Sequence, residues 1–254
     1  MIPILTYHKV VNFDISSTWI PPQQFERQMQ YLYKNDYTTV TPYELLTPSR
    51  QEKQKILITF DDGYESFYKN VLPILLHYKF KAIIFIVANY IGKQNLWDVN
   101  FSHRKTYHLS WSQLRELRSL GFEIGSHTNT HPDLTKIAIP HAKKEIFNSK
   151  AELEQGLGIS VDFISFPFGR YNEAIVELTK EASYKLAFTS NPFLNSPYIV
   201  GRMGMYLIDS LANLRTKLHS KGSFYKLEGI KSNLINFFSR GTWIWKSLNP
   251  FSMK

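Results

Sequence analysis

Short apolar runs rich in Ile, Val and Phe alternate with longer stretches of helical periodicity along most of this chain. The runs at 2–7, 55–60, 82–87, 122–125, 161–166 and 185–189 read as buried parallel strands, which are apolar on both faces. Between them, 22–35, 64–78, 110–120, 139–156 and 172–182 place apolar residues at helical spacing. Ser110-Trp111-Ser112-Gln113 has the form of a capping box, and Gly121 is placed to stop that helix. Pro73 should kink the 64–78 helix or mark its second start. Repeated strand-then-helix order predicts an α/β fold with a parallel sheet, and the number of units favours a barrel over an open sheet.

The chain has 254 residues, ample for one large core, and 43% hydrophobic with 20% charged residues is ordinary globular composition. It has no cysteine, which excludes disulfides and thiolate ligands. The opening Met1-Ile2-Pro3-Ile4-Leu5 lacks a basic segment followed by an apolar one, so no signal peptide is read there, and the expectation is either a cytoplasmic location or a start that follows a removed leader. No stretch approaches the roughly 18 apolar residues of a spanning helix.

Net charge is +9, but residues 221–254 hold six Lys or Arg and one Glu, so more than half of the excess sits in the last 34 positions. Charge so localised argues against a nucleic-acid-binding body. It also divides the chain into a barrel, 1–220, and a basic, aromatic-rich tail, 221–254. In that tail Leu227, Ile230, Leu234 and Phe237/Phe238 recur at helical spacing, followed by Thr242-Trp243-Ile244-Trp245-Lys246. A basic amphipathic helix followed by indoles suits an interfacial anchor, so peripheral contact with a membrane face is expected, with packing on the barrel as the rival.

Chemistry-bearing residues fall at the ends of the strands, where barrel active sites gather. Asp61 and Asp62 follow the strand ending at Phe60, His127 and His131 follow that ending near Gly125, and His8 follows the first. One carboxylate with two imidazoles suits zinc or a similar divalent ion and leaves coordination positions open. The second carboxylate is then left over for proton transfer. Two adjacent acids on a strand point to opposite faces, and the turn at Gly63 is placed to bring both to one pocket. The i, i+4 spacing of the histidines places both rings on one side of a single turn.

Asp61-Asp62-Gly63 after an apolar strand, then His127-Thr128-Asn129-Thr130-His131, then Phe166-Pro167-Phe168-Gly169 resemble the three ordered motifs of the polysaccharide deacetylase family. These are metal-dependent esterases that remove N-acetyl groups from amino sugars. The resemblance spans about residues 2–218 and implies a distorted, incomplete (β/α) barrel. It implies Asp62, His127 and His131 as ligands of a divalent metal, foremost Zn2+ with Co2+ or Ni2+ as substitutes. It implies Asp61 as the base that takes a proton from the attacking water, with Phe168 and Gly169 at the oxyanion.

Two positions depart from the commonest pattern of the family. Ser165 stands where an arginine usually orients the base, and Arg202, in Val200-Gly201-Arg202-Met203-Gly204, resembles the arginine that some branches place on a later strand. Leu5-Thr6-Tyr7-His8 resembles the opening strand of the branch acting on poly-N-acetylglucosamine, which implies His8 rather than His219 as the proton donor. Trp97 is the candidate for a wall of the substrate cleft. The expected activity is hydrolysis of the N-acetyl group of N-acetylhexosamine units in a glycan, releasing acetate. A lipid-linked sugar at the cytoplasmic face of the inner membrane is the rival substrate, and a catalytically silent glycan-binding barrel the rival class.

Overall fold

The computed structural model describes residues 2–14, 18–47, 54–95, 106–194, 196–219 and 222–238. Its strands are β1 (Ile4–Tyr7), β2 (Lys9–Val10), β3 (Trp19–Ile20), β4 (Tyr37–Thr39), β5 (Gln54–Phe60), β6 (Ile83–Ile86), β7 (Glu123–Ser126), β8 (Phe163–Ser165), β9 (Leu186–Thr189), β10 (Ile199–Gly201) and β11 (Met203–Gly204). Its helices are α1 (Pro22–Lys34), α2 (Leu72–His77), α3 (Trp111–Ser119), α4 (Ile139–Leu157), α5 (Glu173–Glu181), α6 (Leu211–His219) and α7 (Ser223–Phe238).

The main sheet runs β10-β9-β8-β7-β6-β5-β1-β11, with parallel pairing throughout and β4 alongside the start of β5. β10 pairs with β9 and β11 with β1, and only Arg202 separates them. One short stretch therefore spans the seam between the first and last strands, a nearly closed (β/α) barrel whose seam residue is an arginine.

Strand alternation divides the core in two. Leu57, Ile83, Phe85, Phe163, Leu186 and Phe188 form the cluster inside the barrel, while Ile56, Ile58, Phe60, Ile84 and Ile164 pack outward beneath the helices. Gly125 makes room inside: a Cβ there would stand 2.5 Å from the Phe85 ring.

Local signals explain several boundaries. Ser110 Oγ accepts from the Gln113 N–H at 3.3 Å and Gln113 Oε1 from the Ser110 N–H at 2.8 Å, so α3 begins on the expected capping box. Pro73 marks a second start: a wide π turn, Phe67–Val71, runs into α2, whose first turn holds the proline where no intrahelical N–H is needed. α4 continues past Gly156 to a left-handed Gly158, φ 67°. Gly156 is a contact instead of a stop, since a Cβ there would meet the Trp111 ring at 2.2 Å.

Candidate active site

Above the apolar barrel interior lies a layer of buried polar side chains: Thr59, Asp61, Ser165 and Arg202. Arg202 donates from Nη1 to Asp61 Oδ1 at 2.8 Å and from Nη2 to Asp61 Oδ2 at 2.7 Å. The same guanidinium reaches Thr59 Oγ1 at 3.1 Å and Ser165 Oγ at 2.7 Å, and the Ser165 hydroxyl donates to Asp61 at 3.2 Å. A two-pronged ion pair of this kind fixes the carboxylate plane as well as its charge. Burial alone would raise the Asp61 pKa, but the charge and hydrogen bonds of Arg202, together with the charges of His127 and His8, outweigh it and hold the carboxyl below its ordinary value.

Asp62 is the next residue, yet its carboxylate meets different partners. Its backbone turns into the left-handed region at φ 72°, followed by Gly63 at φ 64°, so both aspartates are buried at one pocket. Asp62 Oδ1 stands 3.4 Å from Nε2 of both His127 and His131. The His127 Nδ1–H donates to the Ser165 carbonyl at 2.7 Å, which leaves the neutral ring's Nε2 as an acceptor aimed at a carboxylate oxygen. Two facing acceptors need a proton or a cation between them. Ligands about 2.1 Å from one tetrahedral ion stand roughly 3.4 Å apart, so the three donor atoms, all within 4.8 Å of one another, fit a divalent metal. The donor set thus fits the divalent metal that the sequence resemblance implies.

Charge on these rings follows from the same geometry. Burial opposes a charged His127, but Asp61 and Asp62 outweigh it and raise its pKa. Burial and the neighbouring His127 charge push His131 down to about 3, which keeps it neutral and ready to ligate. Asp62 lies below the usual carboxylate range: burial works against its ionisation, and the hydrogen bond to His127 and the charges of His8, His131 and His127 exceed that cost.

The loop carrying the two histidines is not the helical turn that i, i+4 spacing suggests. Thr128 at φ 66° and His131 at φ 63° are both left-handed, and Phe168 at φ 57° is a third such residue facing them. Its ring lies 4.8 Å from that of His131. Non-glycine residues pay for such backbone, and its clustering around one pocket is the pattern of a functional site. Glu145 on α4 holds the loop, accepting from the N–H groups of Asn129 at 2.9 Å and Thr130 at 2.7 Å and from the Thr130 hydroxyl at 2.7 Å. His108 donates from Nδ1 to the Asp62 carbonyl at 2.9 Å and braces the aspartate turn. Gly169, φ 65°, passes so close to Ser190 that a Cβ would meet its Oγ at 2.0 Å.

His8 follows β1, is half-buried, and places its charge where it acts on Asp61, Asp62 and His131. His219 is at the far end of α6, exposed, with Nδ1 donating to the Arg215 carbonyl at 2.6 Å. Trp97 lies outside the described residues, as do Trp243 and Trp245. Sequence reasoning missed Glu145 and the bracing role of His108, which belong to no motif and reach the site only through the fold.

The sequence profile described as "Polysaccharide deacetylase" matches residues 49–187, more than half of the chain. A putative polysaccharide deacetylase of Bacillus subtilis is 32% identical over 195 residues, covering 75% of this chain and 65% of that protein. The poly-beta-1,6-N-acetyl-D-glucosamine N-deacetylase of Staphylococcus aureus is 26% identical over 211 residues, 73% of this chain and 70% of that one. Among solved structures, the Streptococcus pyogenes deacetylase PplD in complex with acetate superposes with TM-score 0.75 at 25% identity, covering 85% of this chain and 97% of that one. This chain belongs to the polysaccharide deacetylase family. It thus spans just under two thirds of the length of its Bacillus relative.

Proposed function

We propose that this protein hydrolyses the N-acetyl group of N-acetylhexosamine units in a glycan, releasing acetate and leaving the free amine. The observation that carries this is Asp61, clamped by Arg202 beside the Asp62, His127 and His131 group and not itself part of it. A glycan-binding barrel has no need of that second carboxylate. The acetate bound to the similar Streptococcus pyogenes deacetylase supports the same reading of the leaving fragment.

Asp62, His127 and His131 would hold a divalent metal, which we take to be zinc, with Co2+ or Ni2+ as substitutes. Such an ion supplies Lewis acidity toward a carbonyl oxygen and lowers the pKa of water. Asp61 accepts the proton of the attacking water, and Arg202 keeps that carboxylate ionised and aimed. The Phe168 N–H, in the turn that ends at Gly169, donates to the developing oxyanion. His8 gives a proton to the departing amine. Trp97 retains the part of a cleft wall.

The β-1,6-linked N-acetylglucosamine polymer named for the Staphylococcus aureus relative is the first substrate to test, with a lipid-linked amino sugar as the second. All proposed site residues fall within 1–220, and 221–254 serve a separate role, peripheral contact with the inner membrane from the cytoplasmic side. No helix among the described residues is long and apolar enough to cross a membrane. Acetate release is measured from β-1,6-linked oligomers, chitooligosaccharides and lipid-linked sugars, with and without chelator. Release that a chelator abolishes and zinc restores is expected, and chelator-insensitive release or none from any N-acetylated substrate sinks the reading.

A further inference from the structure

α7 is inside out. A surface helix ordinarily turns its apolar stripe to the core and its charges to water. Here the barrel side is polar: Glu228 pairs with Lys217 at 3.3 Å and Lys231 at 2.6 Å, and Tyr206 Oη meets Ser232 Oγ at 2.8 Å and Asn236 Oδ1 at 3.0 Å. Lys217 and Asp209, the two groups at the centre of that network, are fully buried. The opposite side is Phe224, Leu227, Ile230 and Leu234, exposed by 75%, 59%, 51% and 53%. At about 100° per residue, the last three lie directly away from the barrel. The polar anchor fixes the helix with its apolar side held outward.

α6 packs between α7 and α1, and a groove of about 510 Å³ opens along α1 and α6. Among the described residues its lining contains Arg27, Lys34 and Arg215 and no acid, with Arg215 lying 5.1 Å over the Tyr31 ring. Leu211 and the exposed Leu207 and Ile208 continue from Arg27 along an adjoining groove. Cations in a concave strip flanked by outward apolar side chains match an anionic bilayer, phosphates over the groove and the apolar side chains at the acyl boundary.

A second copy of this chain fits the surface less well. The α7 stripe exposes on the order of 400 Å², half of the roughly 800 Å² per partner of a stable interface. Lys226 borders the stripe, while Glu228, the single acid between 221 and 254, faces the barrel, where it and Asp209 hold Lys231. Pairing two such faces brings like charges together.

We infer that α1, α6 and α7 form a docking surface for an anionic lipid bilayer, so the membrane contact is built on the barrel and not by the last residues alone. This rests on the membrane part of the proposed function and is independent of the deacetylase chemistry. Co-sedimentation of the full chain with vesicles of phosphatidylcholine, with and without phosphatidylglycerol, tests it. Binding is expected only to the anionic vesicles and to weaken with salt. Leu227→Glu/Leu234→Glu and Arg27→Glu/Arg215→Glu should each reduce binding at least tenfold, since each cation near such a surface contributes roughly fivefold. Acetate release from a soluble oligomer, where present in the parent, should be unchanged in both. Parent-like binding by both variants overturns the inference, as does loss confined to Trp243→Ser/Trp245→Ser, which would assign the contact to the tail. Parent protein that is dimeric, and turns monomeric in Leu227→Glu/Leu234→Glu without vesicle binding, identifies a self-interface instead.

Discussion

Arg202 lies at the one point where the chain passes from the last strand of the barrel to the first, and there it grips both oxygens of Asp61. Barrel closure and orientation of the Asp61 carboxylate are therefore one interaction. Ser165, where the family usually has its arginine, is small enough to leave room for the guanidinium that follows β10, two strands along the sheet, and its hydroxyl bonds both partners. Replacing Arg202 with Met leaves a buried carboxylate unpaired, which typically costs about 3–5 kcal/mol. Asp61 now has its pKa lowered, so its pairing stabilises the fold above the ordinary carboxyl range and that contribution is lost as pH falls through the depressed value. Without the guanidinium, burial pushes the carboxyl up. The acid limb of the kcat/KM profile should then move to higher pH in Arg202→Met, with Arg202→Lys intermediate. An unmoved limb in both variants would separate Arg202 from the base.

Asp61 and Asp62 are sequence neighbours with opposite expected phenotypes. On the proposed roles Asp61→Asn removes a proton acceptor and no ligand, so zinc content should stay near one per chain while kcat falls by about 10²–10⁴-fold. Asp62→Asn removes a charged ligand from the three-residue group, and bound zinc should fall with activity. Metal analysis alongside acetate release distinguishes the two, and loss of metal in Asp61→Asn would contradict the assignment.

Strands β1 and β5 to β9 and helices α1 to α5 were legible because each lies within a longer apolar or periodic run. The pieces that escaped, β2, β3, β4, β10 and β11, have two or three residues each, too short for alternation to register. The motif residues were legible because their chemistry is unusual for a strand end. The loop of His127 and His131 was misjudged as a single turn because spacing carries no φ, and the left-handed residues Thr128 and His131 look ordinary in sequence. Arg202 was visible as a candidate cation, but its grip on Asp61 depends on the fold bringing together positions 141 apart in the chain. Glu145 left no signal, since a glutamate in an amphipathic helix is common.

His8 and His219 offer a direct contrast. His8 sits at the end of β1, close enough for its charge to act on both aspartates, whereas His219 is exposed and bonded to its own helix. His8→Ala should lower kcat by about 10²-fold or more with metal retained, as loss of a positioned acid does. His219→Ala should be neutral within about twofold, because surface changes away from such features are usually within ±0.5 kcal/mol. A larger loss in His219→Ala would assign the proton donor to the C-terminal side.

Glu145 is the strongest test of whether the strained loop matters. Its carboxylate accepts three hydrogen bonds from Asn129 and Thr130, the two residues immediately before His131, yet it forms no part of the Asp62, His127 and His131 group. Left-handed backbone at Thr128 and His131 costs free energy that these bonds help to offset. Glu145→Gln keeps two acceptor sites at most on one oxygen and removes the charge, while Glu145→Ala removes all three bonds. Zinc affinity should fall in that order, by roughly 10–100-fold for Ala, as when groups orienting a metal ligand are removed. kcat at saturating zinc should recover most of its value, because the ligands themselves remain. Titration of each variant with zinc, following acetate release and bound metal together, checks both halves. Unchanged affinity in Glu145→Ala would mean that packing alone holds His131 in place.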